Sequence, residues 1–209
     1  MLTATQITTD HHSYGERRAA ERARVMPIRA ERRVRVGDML DFEFENLETL
    51  HYQVQEMVFV ERITDPVEVG HEIELYGRMA PNSHELCATM FVELEQGADV
   101  RAELARLHGI QNAVSLEIGR SALDTEAQPS IAQAVELRGL DEDPEQPSDT
   151  VSVHVVRFTL TDEQRDAFRD PQVPVDLVVE HAEYSESTPI TGATRLSLLA
   201  DLALGGPTA

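Results

Sequence analysis

Glutamate and histidine recur three residues apart at two places in this sequence, Glu48 with His51 and Glu68 with His71. On a helix that step sets a carboxylate and an imidazole on one face, the spacing of carboxylate-bridged di-iron sites. One shared centre is disfavoured by geometry. A helical hairpin turning near Ile63 to Pro66 brings His71 level with Met57 and His51 level with Gly77, an offset that at about 1.5 Å per residue separates the pairs by roughly 8 Å. His71 then faces Gln55 and Glu56. A solvated acidic face explains the spacing equally simply.

A mononuclear centre drawn from Glu45, Glu48, Glu56, Glu72, His71, His154 or His181 is the other metal option, because imidazole with carboxylate suits iron, manganese or zinc. No ligand spacing selects among those metals. The favoured subset is Glu45, Glu56, His154 and His181, with Tyr184 as a supporting group or proton donor. His154 lies within VSVHVVRF, opposite in parity to Val153 and Val155, with Arg157 pointing to the other side from it; a half-buried histidine bonded to backbone accounts for it too. His181 ends a strand three residues before Tyr184, where a loop is expected to begin. Cys87 sits in the apolar run ELCATMFVEL and reads as an inert packed thiol. As the one cysteine it excludes an intramolecular disulfide, a Cys-x-x-Cys redox pair and a self-held iron-sulfur cluster. There is no Gly-x-Ser-x-Gly elbow, and a chain without lysine has no Gly-x-x-x-x-Gly-Lys phosphate loop.

These groups must be positioned by a mixture of helices and strands. Residues 1–13 are polar and without period, and 205–209 read the same way, so both are expected to be loose tails around a single domain over 14–204. From Tyr14 to Arg33 the Ala/Arg/Glu-rich composition favours a basic helix, broken or kinked near Pro27. RVRVGDMLDFEFEN alternates as a strand or hairpin on either side of Gly37. The apolar stripe Leu47, Leu50, Val54, Met57, Val58 and the Asp65-Pro66 start signal then give a helical hairpin through about Met79. Two strand-helix-strand units follow, one over ELCATMFVEL, VRAELARLH and AVSLEIG, the other over VSVHVVRFTL, TDEQRDAFRD and VPVDLVVEH, and ATRLSLLADLAL closes the chain as a helix. Residues 120–149, rich in Pro, Gly and acids, read as an irregular insert with room for one short element. The class is α+β with a mainly antiparallel sheet.

The 209 residues carry 18 arginines and 38 acids for a net charge of −20. Eight arginines (Arg17, Arg18, Arg22, Arg24, Arg29, Arg32, Arg33, Arg35) face only four acids in the first 35 residues, so that stretch carries +4 and the remainder −24. Nucleic acid is a poor ligand for such a body, and with no tryptophan and 5% aromatics a base-stacking platform is poorly supplied. The basic segment either docks on the chain's own acidic body or presents an arginine helix to an acidic partner. No uncharged apolar run approaches the roughly 18 residues of a membrane span, and no leader is evident, which gives a cytoplasmic expectation.

The string RRVRVGDMLDFEFENLETLHYQVQEM resembles the signature of the uncharacterised bacterial domain of unknown function 3501 family. The matching positions are Arg32, Arg33, Gly37, Phe44, Glu45, Asn46, Tyr52, Gln53, Gln55, Glu56 and Met57. LCATMFVEL, VSVHVVRFTL with His154 and Arg157, and HAEY with His181 and Tyr184 extend the resemblance over most of residues 14–202. His51, His71 and Ala182 depart from the pattern. Genes of the family commonly lie beside a rubrerythrin-like protein and an iron-sulfur oxidoreductase subunit, which implies a redox or peroxide-defence setting. The expected role is an accessory protein docking on such a partner through Arg17, Arg18, Arg22, Arg24 and Arg29. The alternatives are a mononuclear metal enzyme and a homodimer in which the basic helix of one copy meets the acidic face of the other.

Overall fold

The computed structural model describes residues 2–3, 6–119, 128–137 and 151–203. Helix α1 (His11–Glu31) leads into a hairpin of β1 (Arg33–Val36) and β2 (Leu40–Phe44), followed by α2 (Leu47–Val60) and α3 (Pro66–Gly77). Next come β3 (Glu85–Val92), α4 (Val100–Arg106), β4 (Val114–Ile118), β5 (Ser130–Glu136), β6 (Val153–Thr159), α5 (Asp162–Arg169), β7 (Val175–His181), β8 (Tyr184–Pro189) and α6 (Gly192–Ala203). The strands form one antiparallel sheet in the order β1-β2-β3-β6-β5-β4-β7-β8. Its edges approach each other: Thr188 Oγ1 on β8 donates to the Arg35 carbonyl on β1 at 2.7 Å, so the sheet curls nearly into a barrel. The fold is α+β, as the sequence pattern indicates.

Alternate residues of each strand fill the inside, as the twofold period of a strand requires. Leu40, Phe42 and Phe44 of β2 meet Leu86, Ala88 and Met90 of β3 and Val156 and Phe158 of β6 there, with Phe44 stacked on Phe158. Both strand-helix-strand units exist, but the two strands of a unit are not sheet neighbours: β3 pairs with β6, and β4 with β7. Each connecting helix therefore crosses one end of the barrel. Leu104, Leu107 and Ile110 close the end reached by β3, and Phe168 of α5 with Leu198 and Leu202 of α6 closes the other. A second apolar cluster, including Leu50, Val54, Val58, Val69, Cys87 and Val155, packs α2 and α3 against the outer face of β3 and β6.

Four local expectations need correction. Helix α1 begins at His11, capped by the Asp10 side chain, and Gln6 and Thr8 ahead of it are docked on α2 through His51 and Gln55. It also runs unbroken through Pro27, because Pro27 and Ala23, whose carbonyl the missing N–H would have served, both face solvent. Within 120–149 the described residues contain a seven-residue strand, β5, whose inward positions are Ala132 and Ala134, too weakly apolar to mark a strand. The chain beyond His181 continues as β8, a polar edge strand in which Tyr184 is the buried residue. The tail 205–209 and the acidic run of the insert lie outside the described residues.

Candidate functional site

Built up from its residues, the signature around Tyr52 is a set of fastenings between α2 and the segment before it. Asn46 ends β2 and caps α2, its side chain accepting the Glu48 and Thr49 N–H groups while Thr49 Oγ1 accepts the Asn46 N–H. Glu45 is 3% exposed, and its carboxylate accepts from Thr49 Oγ1 at 2.5 Å, Thr89 Oγ1 at 2.8 Å and Gln53 Nε2 at 2.8 Å. Gln55 grips the chain at Thr8 from both sides, accepting its N–H and donating to its carbonyl. Glu56 accepts from the Tyr14 hydroxyl at 2.8 Å and from Arg18 Nη2 at 2.7 Å, while the Arg18 guanidinium lies over the Phe59 ring. Burial alone would push the Glu56 carboxyl up, but the Arg18 and Tyr14 hydrogen bonds together outweigh it and hold the group below its ordinary value. Burial and the bond to Glu56 push the Tyr14 hydroxyl well above its ordinary value.

Between the N-terminal segment, α1 and α2 these fastenings leave a cavity of about 110 Å³. Tyr14, Arg17 and Glu21 contribute its α1 wall, and His51, Tyr52 and Gln55 its α2 wall, with Gln6 at the rim. Most acceptors here are spent. Glu21 is paired with Arg24 at 3.2 Å, and the Gln6 carbonyl receives His51 Nε2 at 2.9 Å. Two donors are not: among the described residues the Tyr52 hydroxyl has no hydrogen-bond partner although the residue is 5% exposed, and Arg17 has no carboxylate, only the Tyr14 ring 5.8 Å from its guanidinium carbon.

The arginines of the first 35 residues are mostly internal anchors. Arg18 bonds Glu56, Arg24 bonds Glu21 and Glu48, Arg29 bonds Glu43, and Arg33 and Arg35 both reach Asp41 and Glu93. Arg32 is buried, donating to the Phe44 and Glu45 carbonyls, to Ser197 Oγ and to Asp201 on α6. The basic segment thus docks on its own chain. Arg17 and Arg22 have no such partner among the described residues.

The groups nominated for metal chemistry stand in separate places. Glu45 and Glu56 sit in the two polar clusters just described. His154 points into the barrel with Val156 and Phe158, and its Nδ1 lies 2.8 Å from Glu136, whose other oxygen accepts from Gln111. The opening beside it is only about 10 Å³. His181 spans the β7–β8 turn, its Nδ1 accepting the Glu183 N–H and its Nε2 donating to the His108 carbonyl. Tyr184 donates to the Val36 carbonyl at 2.7 Å and accepts the Met39 N–H at 3.2 Å, pinning the β1–β2 turn. Gly37 in that turn has φ +59°, and a Cβ there would collide with the Tyr184 hydroxyl. Arg157 points outward and donates to the Arg78 carbonyl. Among the described residues no three His, Cys, Asp or Glu side chains gather where they could hold a metal ion. Neither Glu-x-x-His pair makes a shared centre: Glu48 is taken by Arg24, His51 by Gln6, and Glu68 and His71 are exposed on α3. Burial pushes the Cys87 thiol up to about 12, so it is inert.

In this chain Glu45, Gln55 and Glu56 thus fasten α2 to neighbouring segments. The model of a family described as proteins of unknown function, DUF3501, matches residues 1–202. The chain belongs to that family. The chain is also similar to the crystal structure of a novel protein of unknown function from Burkholderia pseudomallei, at 29% identity and a TM-score of 0.82 over 96% of this chain and 98% of that one. No curated protein matches the chain. No helix among the described residues is long and apolar enough to cross a membrane. Sequence reasoning missed Glu136, Gln111, Ser197 and Asp201 as partners; Asp201, an acid inside the apolar run LSLLADLAL, is the one with a legible signal.

Proposed function

We propose that this DUF3501 chain is an accessory protein that docks on a redox partner, of the rubrerythrin-like or iron-sulfur oxidoreductase kind the family resemblance implies, through the face made by the N-terminal segment, α1 and α2. The observation that carries this reading is the unequal use of the N-terminal arginines. Arg18, Arg24 and Arg29 are bonded by the chain's own carboxylates, whereas Arg17 and Arg22 are exposed on the same helix with no carboxylate bonded to them among the described residues, Arg22 acting on Glu56 only at longer range. An unspent guanidinium fork suits a carboxylate on a partner surface. The docking set therefore narrows from five arginines to two. Because the rest of the chain is strongly acidic, attraction at this face is local and orients the encounter.

The test is binding of the purified partner proteins at about 50 mM and about 300 mM salt. Affinity is expected to fall steeply with salt, and Arg17→Ala with Arg22→Ala to weaken low-salt binding by roughly tenfold. Salt-independent binding, or binding unchanged in the double variant, refutes the reading.

A further inference from the structure

The geometry points to a binding site for a small oxyanion in the cavity between the N-terminal segment, α1 and α2, held by the Arg17 guanidinium and the Tyr52 hydroxyl. The inference extends the use of the same face from docking a protein to holding a small ligand.

Hydrogen-bond accounting carries it. Tyr52 is 5% exposed, and its hydroxyl, which bonds to no described residue, is not a fully buried atom but is reached from the cavity that the residue lines. Its neighbours on α2, Gln53, Gln55 and Glu56, are engaged in bonds of their own. Across the cavity Arg17 supplies a permanent positive charge with several N–H donors and no carboxylate. The acceptors of the walls each have a partner, Glu21 Oε2 in Arg24, the Gln6 carbonyl in His51 and Gln55 Oε1 in the Thr8 N–H, and the Glu21 charge is balanced by Arg24. Two donors without protein partners call for a ligand that accepts, and the unpaired Arg17 charge favours an anion.

Size sets the class. A cavity of about 110 Å³ is well above the space one water needs and is enough for a carboxylate or a tetrahedral oxyanion. The floor beneath it is held rigid by the Gln55 grip on Thr8 and by the Tyr14–Glu56–Arg18 cluster, so a ligand meets preformed walls.

The experiment titrates the purified full chain, with no partner present, with phosphate, sulfate and acetate in separate arms at constant ionic strength, chloride being the reference. Binding is read by calorimetry and by amide chemical shifts in α1 and α2. At least one oxyanion is expected to saturate, with Arg17→Gln and Tyr52→Phe each weakening it by roughly tenfold or more, the size of one hydrogen bond to a charged group. Arg101→Gln, on the exposed face of α4, is expected to leave binding as in the wild type. A preference for acetate assigns a carboxylate ligand, and a preference for phosphate or sulfate a tetrahedral one. No saturation in any arm, or equal binding in both variants, overturns the proposal. Since the partner is absent throughout, this failure is separate from failure of the docking reading.

Discussion

Replacing Arg32 with methionine would remove the most deeply buried charge of the signature. Arg32 is 1% exposed and Asp201 3%, and the guanidinium also satisfies the Phe44 and Glu45 carbonyls and Ser197 Oγ. Arg32→Met keeps the chain length but leaves a buried carboxylate and two carbonyls without a donor, which costs about 3–5 kcal/mol. At about 2–4 °C per kcal/mol for a chain of this size, the melting temperature should fall by about 6–20 °C. Burial already pushes the Asp201 carboxyl up and Arg32 opposes that, so without Arg32 the folded-state value rises further. A raised carboxyl favours the folded state below its unfolded value of about 3.9 and loses that advantage as pH rises, so the deficit should widen from mildly acidic to alkaline pH. Arg32→Met with Asp201→Leu removes both charges and should recover much of the loss. Thermal and urea unfolding followed by circular dichroism measure all three chains. A loss under about 2 °C in Arg32→Met, or a double variant no better than the single one, would refute the reasoning.

The remaining expectations concern the other fastenings. Glu56 sits below its ordinary value, so its contribution is complete above the unfolded value of about 4.3 and is lost as pH falls through the folded one; the urea-midpoint advantage of wild type over Glu56→Gln should shrink below about pH 4, and an advantage that grows on acidification would contradict this. Cys87 should resist thiol reagents at pH 8 in the folded chain and react once urea unfolds it; fast labelling of native protein would show the thiol is not packed as described. Gly37→Ala should destabilise by more than about 1 kcal/mol through both its positive φ and the collision with Tyr184, and Tyr184→Phe by about 1 kcal/mol through the lost turn bonds, both read from urea midpoints; two neutral outcomes would remove this account of sheet closure.

The elements with strong periodicity were readable from the residues alone, and they are the ones buried on one clean face. β3 and β6 carry branched or large apolar residues at alternate positions, and α2 and α3 have capping signals at Asn46 and Asp65. β5 and β8 escaped because a barrel interior admits alanine and because an edge strand stays polar. Which strands pair was not legible, since β3 beside β6 depends on where the connecting helices cross the barrel and not on any local pattern. The candidate site was half legible. The signature pointed to the stretch of α2 that carries the fastenings, yet residue types suggested ligands where Glu48 and Glu56 hold arginines and Glu45 holds Thr49, Gln53 and Thr89. Only partners distant in sequence, such as Asp201 for Arg32 and Glu136 for His154, separate those two uses.

The central claim is that the working face is the one formed by the N-terminal segment, α1 and α2. Amide hydrogen exchange of the chain, alone and saturated with its purified redox partner at low salt, tests it most directly. The expected result is added protection concentrated in residues 6–26 and 47–60, fading as salt is raised. Protection confined to another surface, such as the β7–β8 hairpin, with α1 and α2 unchanged, would contradict it.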